Sequence, residues 1–139
     1  ADTAACLRSL RASTHRRLTP LIVDNGSPDG SGARLHAEFP DLPYVQTGRN
    51  LGYTGGNNAG FAWARAHGAD HVVVLNNDTE VDAECIGWLV RAAESDPTVG
   101  AVAPCIVVHD APERLWYAGG DLALARGTGR HRDAGAPLA

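Results

Sequence analysis

The residues best suited to chemistry are Asn76, Asn77 and Asp78, which end an uninterrupted apolar run, Val72-Val73-Val74-Leu75. A carboxylate flanked by amides is a set of hard oxygen donors that carries little charge. It suits a hard divalent cation, which accepts one or two carboxylates and completes its shell with water and phosphates. Asp78 could instead cap the next helix, but Asp82 is available as that cap, so the metal role is favoured. Asp24 is placed in the same way, after Leu21-Ile22-Val23 and before Asn25-Gly26-Ser27-Pro28-Asp29-Gly30-Ser31-Gly32. Its carboxylate can accept hydrogen bonds from a base or ribose, or can cap its own turn. Asn50 to Gly60 joins glycines, which let backbone approach a ligand, to amides that read polar edges without adding charge. Its plainer reading is a helix entry rich in Asn and Gly.

These stretches need strands and helices to hold them. Val72 to Leu75 is apolar on both faces, the pattern of a buried parallel strand. Leu21 to Val23 and Tyr44 to Gln46 read as further short strands. Helices are expected over Asp2 to Ser13, in a short segment through Leu35 and Ala37, and up to Gly68 with Ala59, Ala62, Trp63 and Ala66 facing inward. Another is expected over Ala83 to Ser95, with Ile86, Leu89, Val90 and Ala93 as its apolar stripe. Val99 to Val108 reads as a strand broken by Pro104, and Leu122 to Leu124 as a weak one. From Arg126 onward no periodicity remains, and a loop is expected. Alternating strands and helices predict a three-layer α/β/α fold around a mainly parallel sheet. In such folds ligands bind at the carboxyl ends of the strands, where all three polar stretches would converge.

Composition narrows the function further. The 139 residues are 44% hydrophobic and 20% charged, with a net charge of -4 and arginine as the only basic residue besides histidine. That balance gives no reason to expect nucleic-acid or anionic-membrane binding. The longest apolar run, Val99 to Val108, is too short to span a bilayer, and Ala1-Asp2-Thr3 lacks the pattern of a secretory leader. The cysteines (Cys6, Cys85, Cys105) and six histidines are scattered, without zinc spacing. There is no Gly-x-x-x-x-Gly-Lys, no Gly-x-Gly-x-x-Gly and no Gly-x-Ser-x-Gly. P-loop enzymes, dinucleotide enzymes and the usual serine hydrolases therefore have no motif here.

Three motifs in order, Asp24-Asn25-Gly26-Ser27-x-Asp29-Gly30-Ser31, Asn50-Leu51-Gly52-Tyr53-x-Gly55-Gly56-Asn57-Asn58-x-Gly60 and Leu75-Asn76-Asn77-Asp78-Thr79, resemble the inverting family 2 glycosyltransferases. The rhamnosyltransferase-like branch is the nearest match, over roughly residues 1 to 125. The resemblance implies a GT-A fold whose Rossmann-like half, residues 1–125, binds a nucleotide-sugar, with 126–139 a loop or the start of the acceptor-binding part. It implies a donor site formed by Asp24, Asn25, Ser27, Arg49, Asn50, Gly55, Gly56, Asn57, Asn58, Asn76 and Asn77. Trp116, Gly119 and Gly120 would approach the sugar or acceptor. Asp78 would hold Mg²⁺ or Mn²⁺ on the diphosphate of a dTDP- or UDP-sugar. The acceptor would be a carbohydrate or lipid-linked hydroxyl, reached in the cytoplasm or at the inner face of the membrane.

Two departures from the family pattern stand out. Asn76 occupies the first position of Asp-x-Asp, which removes one carboxylate. The family's first strand and its later Glu-Asp segment, which carries the general base, are not found. An inverting transfer needs such a base to deprotonate the acceptor. The chain is therefore expected to be truncated at both ends and to bind donor without turning over alone. A non-catalytic nucleotide-sugar or carbohydrate binding module is the alternative.

Overall fold

The computed structural model describes residues 2–138, apart from the side chains of Leu122 and Leu124. The chain divides into two compact units, Ala1–Ile86 and Gly87–Ala139. In the first, α1 (Asp2–Arg11) carries Asp2 in its opening turn and Arg8 and Arg11 in its last, complementing the helix dipole. Its apolar side buries Cys6 and Leu7. Next comes a βαβ unit: β1 (Ile22–Asp24), α2 (Ser31–Glu38) and β2 (Tyr44–Gln46). The two strands are parallel, with Ile22 opposite Tyr44, Val23 opposite Val45 and Asp24 opposite Gln46. Side chains alternate between the faces of a strand, so Ile22 and Asp24 share one face and Val23 takes the other.

The core lies on the Ile22 face. Leu7, Ile22, Phe39 and Leu42 form a buried cluster, with Ala4, Leu10, Leu35 and Tyr44 packed around it. Phe39, directly after α2, is 2% exposed and is the tightest member. Two surface pairs, Arg8 with Glu38 and Arg11 with Asp41, link α1 to α2 and the loop beyond it; both are solvent-exposed and contribute little. The opposite face of β1 receives α3 (Gly52–Ala66), where a Cβ at Gly60 would lie 3.4 Å from Val23 Cγ2. Small residues therefore let the helix sit close to the strand. The inward line of α3 runs through Gly56, Gly60 and Ala64 at helical spacing, whereas Ala62 and Ala66, expected inside, are exposed. The Gly55-Gly56-Asn57-Asn58 stretch lies within the helix, in keeping with its plainer reading as a helix entry.

The largest departure concerns Val72 to Leu75. These residues are in no strand, and their side chains are between 37% and 48% exposed. A strand exists only through a ladder partner, and β1 pairs with β2 alone. An apolar run states a need for burial without supplying the neighbour that meets it. The residues beyond it settle on α1: Asn77 Nδ2 donates to Thr3 Oγ1 at 2.8 Å, and Val81 N to Ser9 Oγ at 3.0 Å. The Thr14 N–H reaches the Ala83 carbonyl at 2.8 Å.

α4 (Cys85–Glu94) is shorter than the expected 83–95. Asp82 stands before it and accepts from Glu84 N at 2.8 Å. Ile86 is buried, Leu89, Val90 and Ala93 are half-buried, and Trp88 is exposed with the Arg91 guanidinium 3.8 Å over its ring. In the second unit, β3 (Ile106–Val108) pairs antiparallel with β4 (Ala111–Tyr117) in an irregular register. The expected strand from Val99 thus forms only at its end, past Pro104. β5 (Gly120–Ala123) and β6 (Thr128–His131) form a regular antiparallel pair, joined by a 3-10 turn at Leu124–Arg126. The tail expected to be a loop therefore contains a strand, which a Gly- and Arg-rich sequence conceals because its ladder is backbone-made. The described strands form one parallel and two antiparallel pairs, instead of a single mainly parallel sheet.

Candidate functional site

At the carboxyl end of β1, Asp24 is 5% exposed and its carboxylate is surrounded by donors. Ser27 N donates to Oδ1 at 2.8 Å, and Oδ2 accepts from Tyr44 Oη at 2.8 Å and Gln46 Nε2 at 3.1 Å. The register explains this set, because Tyr44 and Gln46 lie two apart on β2 and share the face Asp24 occupies. These bonds, led by the Ser27 backbone N–H, hold the carboxyl well below the usual aspartate range against the cost of burial. The hydrogen bond to Asp24 in turn pushes the Tyr44 phenol up. Tyr44 also stacks on His36 of α2, ring centroids 4.8 Å apart, and His36 Nδ1 is buried with no hydrogen-bond partner among the described residues.

Asn25 is the clasp between two loops. Its Oδ1 accepts from Thr47 Oγ1 at 3.2 Å and Leu51 N at 3.1 Å, while Nδ2 donates to Asn50 Oδ1 at 3.3 Å and the Gly52 carbonyl at 2.9 Å. Thr47 reinforces the junction: its N–H donates to the Asp24 carbonyl at 3.0 Å, and its hydroxyl lies 2.7 Å from the Arg49 carbonyl. Gly26, at φ 76°, sits so close to the neighbouring loop that a Cβ there would lie 2.6 Å from Asn50 N. Gly56 closes the group from α3, its Cβ position 3.1 Å from Asn25 Nδ2. The loops after β1 and β2 are thus one fixed surface at the strand ends. Arg49 stands exposed on it, with its backbone held and its guanidinium in no ion pair among the described residues.

Of the residues expected at a donor site, Asp24, Asn25, Ser27, Arg49, Asn50 and Gly56 are brought together. Gly55 packs on Leu51, Asn57 is half-buried and Asn58 exposed in the first half of α3. Asn76, Asn77 and Asp78 are exposed; the Asn76 carbonyl and the Asn77 side chain are tied to α1, and none of the three is hydrogen-bonded to the Asp24 group among the described residues. Trp116, Gly119 and Gly120 belong to the second unit. There Trp116 meets His131 edge-on at 5.6 Å, Gly119 accepts from Arg132 N at 3.0 Å, and Gly120 pairs with His131. Tyr44, Gln46 and Thr47 are site residues the sequence did not single out. Parallel pairing of β1 with β2 would have indicated them, since it sets Gln46 beside Asp24.

Asp78 fits a cation in kind, being an exposed carboxylate followed closely by Glu80. Both charges reach the Cys6 thiol and help burial push its titration up. Among the described residues no three His, Cys, Asp or Glu side chains gather as a cage. A cation that takes most ligands from phosphate and water does not need one.

The sequence profile of Glycosyl transferase family 2 matches residues 1–134. The chain belongs to glycosyl transferase family 2. An N-acetylglucosaminyl-diphospho-decaprenol L-rhamnosyltransferase of Mycobacterium tuberculosis is 33% identical over 112 residues, covering 72% of this chain and 35% of that protein. A low-salt glycan biosynthesis hexosyltransferase of Haloferax volcanii is 37% identical over 76 residues, covering 54% of this chain and 24% of that protein. This family 2 chain therefore spans about a third or less of the length of the curated relatives it matches. No solved structure matches it. In this family 2 chain, the Asn25 clasp and the Asp24 carboxylate lie in the first of the three motifs that carry the resemblance.

Proposed function

We propose that the chain is the donor-binding part of a metal-assisted, inverting glycosyltransferase that moves a sugar from a nucleotide diphosphate to a hydroxyl acceptor. The observation that carries this reading is the Asn25 clasp, which fuses the β1 and β2 loops into one polar surface at the strand ends. A preorganised surface with an ionised Asp24, amides and a free Arg49 guanidinium matches a ligand that carries hydrogen-bonding base edges and anionic phosphates. Asp24, Asn25 and Ser27 would serve the base and ribose. Arg49, Asn50 and the start of α3 with Gly55, Gly56, Asn57 and Asn58 would line the diphosphate and sugar. Asn76, Asn77 and Asp78 would hold Mg²⁺ or Mn²⁺, with Asp78 as the carboxylate ligand.

A divalent cation bound there would neutralise the charge that develops on the leaving diphosphate. The chain's own residues would orient the donor so that its anomeric carbon faces the acceptor hydroxyl, and positioning of that kind is a large share of such a rate enhancement. We assign no general base within this chain. The donor would be a dTDP- or UDP-sugar. A carbohydrate or lipid-linked acceptor accords with the diphospho-decaprenol in one relative's name. No helix among the described residues is long and apolar enough to cross a membrane, and a cytoplasmic location with peripheral contact at the inner membrane face would bring such an acceptor within reach. Trp116, Gly119 and Gly120 are the proposed contacts to sugar or acceptor.

The test is thermal unfolding with UDP, dTDP or GDP in the presence of Mg²⁺ or Mn²⁺. A ligand at about 100 times its Kd adds about 2.7 kcal/mol of stability. A rise in Tm with at least one nucleotide supports the reading, and no shift with any of the three contradicts it.

A further inference from the structure

On α1, Thr3, Cys6 and Ser9 recur every three residues and so share one side of the helix. Residues 76–83, in the same compact unit, run along that side in the direction of the helix. Asn77 Nδ2 donates to Thr3 Oγ1 at 2.8 Å, Cys6 Sγ to the Asn76 carbonyl at 3.9 Å, and Val81 N to Ser9 Oγ at 3.0 Å. Beyond the helix, the Ala83 carbonyl accepts from the Ser13 and Thr14 hydroxyls at 3.3 and 3.1 Å. Ser9 spends its own proton on the Cys6 carbonyl at 2.7 Å, which leaves its lone pairs for the Val81 N–H. Between these fixed points Thr79 Oγ1 closes a turn on the Asn76 carbonyl at 2.7 Å, and Asp78 stands exposed in that turn. The Asp78 carboxylate makes no hydrogen bond or ion pair among the described residues. Since Val72 to Leu75 lie in no described strand, no ladder leads into the turn, and its bonds to α1 are what fix the carboxylate.

We infer that Thr3 and Ser9 are positioning residues for Asp78, the two α1 hydroxyls that hold the 76–81 turn in the shape that presents its carboxylate to a divalent cation. This rests on the donor-site reading above, in which Asp78 is the carboxylate ligand. A site with one carboxylate has little charge to spend, so its affinity depends on how far that ligand is already ordered before the cation arrives. Groups that orient a ligand from behind change metal affinity by about 10–100-fold when removed. Neutral hydroxyls suit the task, because they fix the turn without competing for the cation as a second anion would. A loop merely packed on α1 would make Thr3 and Ser9 matter equally with and without metal. Positioning residues matter only when metal is bound, and that difference can be measured.

The experiment titrates UDP and dTDP by calorimetry, in Mg²⁺ and in EDTA, into the wild-type chain, the double variant Thr3→Val with Ser9→Ala, and the conservative double variant Thr3→Ser with Ser9→Thr. Wild type is expected to bind about tenfold or more tightly in Mg²⁺ than in EDTA. The first double variant should keep the wild-type affinity in EDTA and lose about tenfold in Mg²⁺. The conservative pair, which retains both hydroxyls, should restore the response to Mg²⁺. Alanine favours a helix at position 9, so α1 is expected to survive, and hydrogen exchange at Val81 should accelerate while Phe39 keeps its protection. Thr3→Val alone, outside the buried cluster, should show part of the same loss and serves if the double variant unfolds. If the hydroxyl-free variants respond to Mg²⁺ as wild type does, lose affinity equally in EDTA, or are not rescued by the conservative pair, the inference is overturned and the donor site stands. If wild type binds nucleotide equally in Mg²⁺ and EDTA, the cation reading of Asp78 fails, and this inference with it. If wild type binds neither nucleotide, the donor-site reading itself fails.

Discussion

Gly32, in the first turn of α2, lies directly against the side chain of Asp24: a Cβ at position 32 would be 2.8 Å from the Asp24 Cβ and would overlap the carboxylate itself. The βαβ unit thus closes over its own anion, and only glycine leaves room. Gly32→Ala should destabilise the chain by about 1–3 kcal/mol, the usual cost of overpacking. It should also displace the carboxylate from Tyr44 and Gln46. Urea unfolding gives the first number. A variant as stable as wild type would show that α2 yields more easily than the packing implies.

Asp24 should leave a signature in acid. Its folded-state carboxyl titrates below the ordinary aspartate, chiefly because of the Ser27 N–H. The stabilisation is therefore fully present above about pH 4 and is lost as pH falls below it, toward the folded-state value. Asp24→Asn should cost about 1–3 kcal/mol at pH 7 and flatten the fall in stability below about pH 4. An unchanged acid slope in the variant would mean that other carboxylates carry it.

Much of the first unit was legible in the sequence. Leu21-Ile22-Val23, Tyr44-Val45-Gln46 and the helix through Leu35 are short elements with clear ends, and the polar residues after them fall where a parallel pair must place its loops. Helix onsets were less legible: α3 starts at Gly52 and absorbs glycines and asparagines whose types alone suit a ligand-facing turn as well as a helix entry. Low helix propensity in that stretch is overridden by the fit of Gly56 and Gly60 against Asn25 and Val23. Val72 to Leu75 misled for a different reason, because hydrophobicity reports what a segment wants to bury and not which strand lies beside it. Tyr44 and Gln46 were hidden because their role depends on register, which one strand's residues cannot state. The β6 strand was hidden because Thr128-Gly129-Arg130-His131 has no buried face to create a pattern.

The clasp predicts a local effect that can be read at single amides. Asn25→Asp keeps an acceptor for Thr47 and Leu51 but sets a second oxygen against Asn50 Oδ1 and the Gly52 carbonyl. Each bond lost in this way costs on the order of 1 kcal/mol, and more where the oxygens are left facing each other. Hydrogen exchange at Leu51 and Gly52 should accelerate about tenfold or more, while Phe39 and Leu42 in the core keep wild-type protection. Uniform acceleration across both regions would mean that the residue supports the whole unit and not the loop junction.

The central claim, a donor diphosphate held through a single carboxylate, is tested most directly by calorimetric titration of UDP and dTDP into wild type and Asp78→Ala, each with Mg²⁺ and with EDTA. Wild type should bind at least one nucleotide in Mg²⁺ and lose tenfold or more in EDTA. Asp78→Ala should show the weak affinity under both conditions, because the metal and its ligand act as one unit. Nucleotide binding by Asp78→Ala that keeps the wild-type strength and the wild-type response to EDTA would contradict the account.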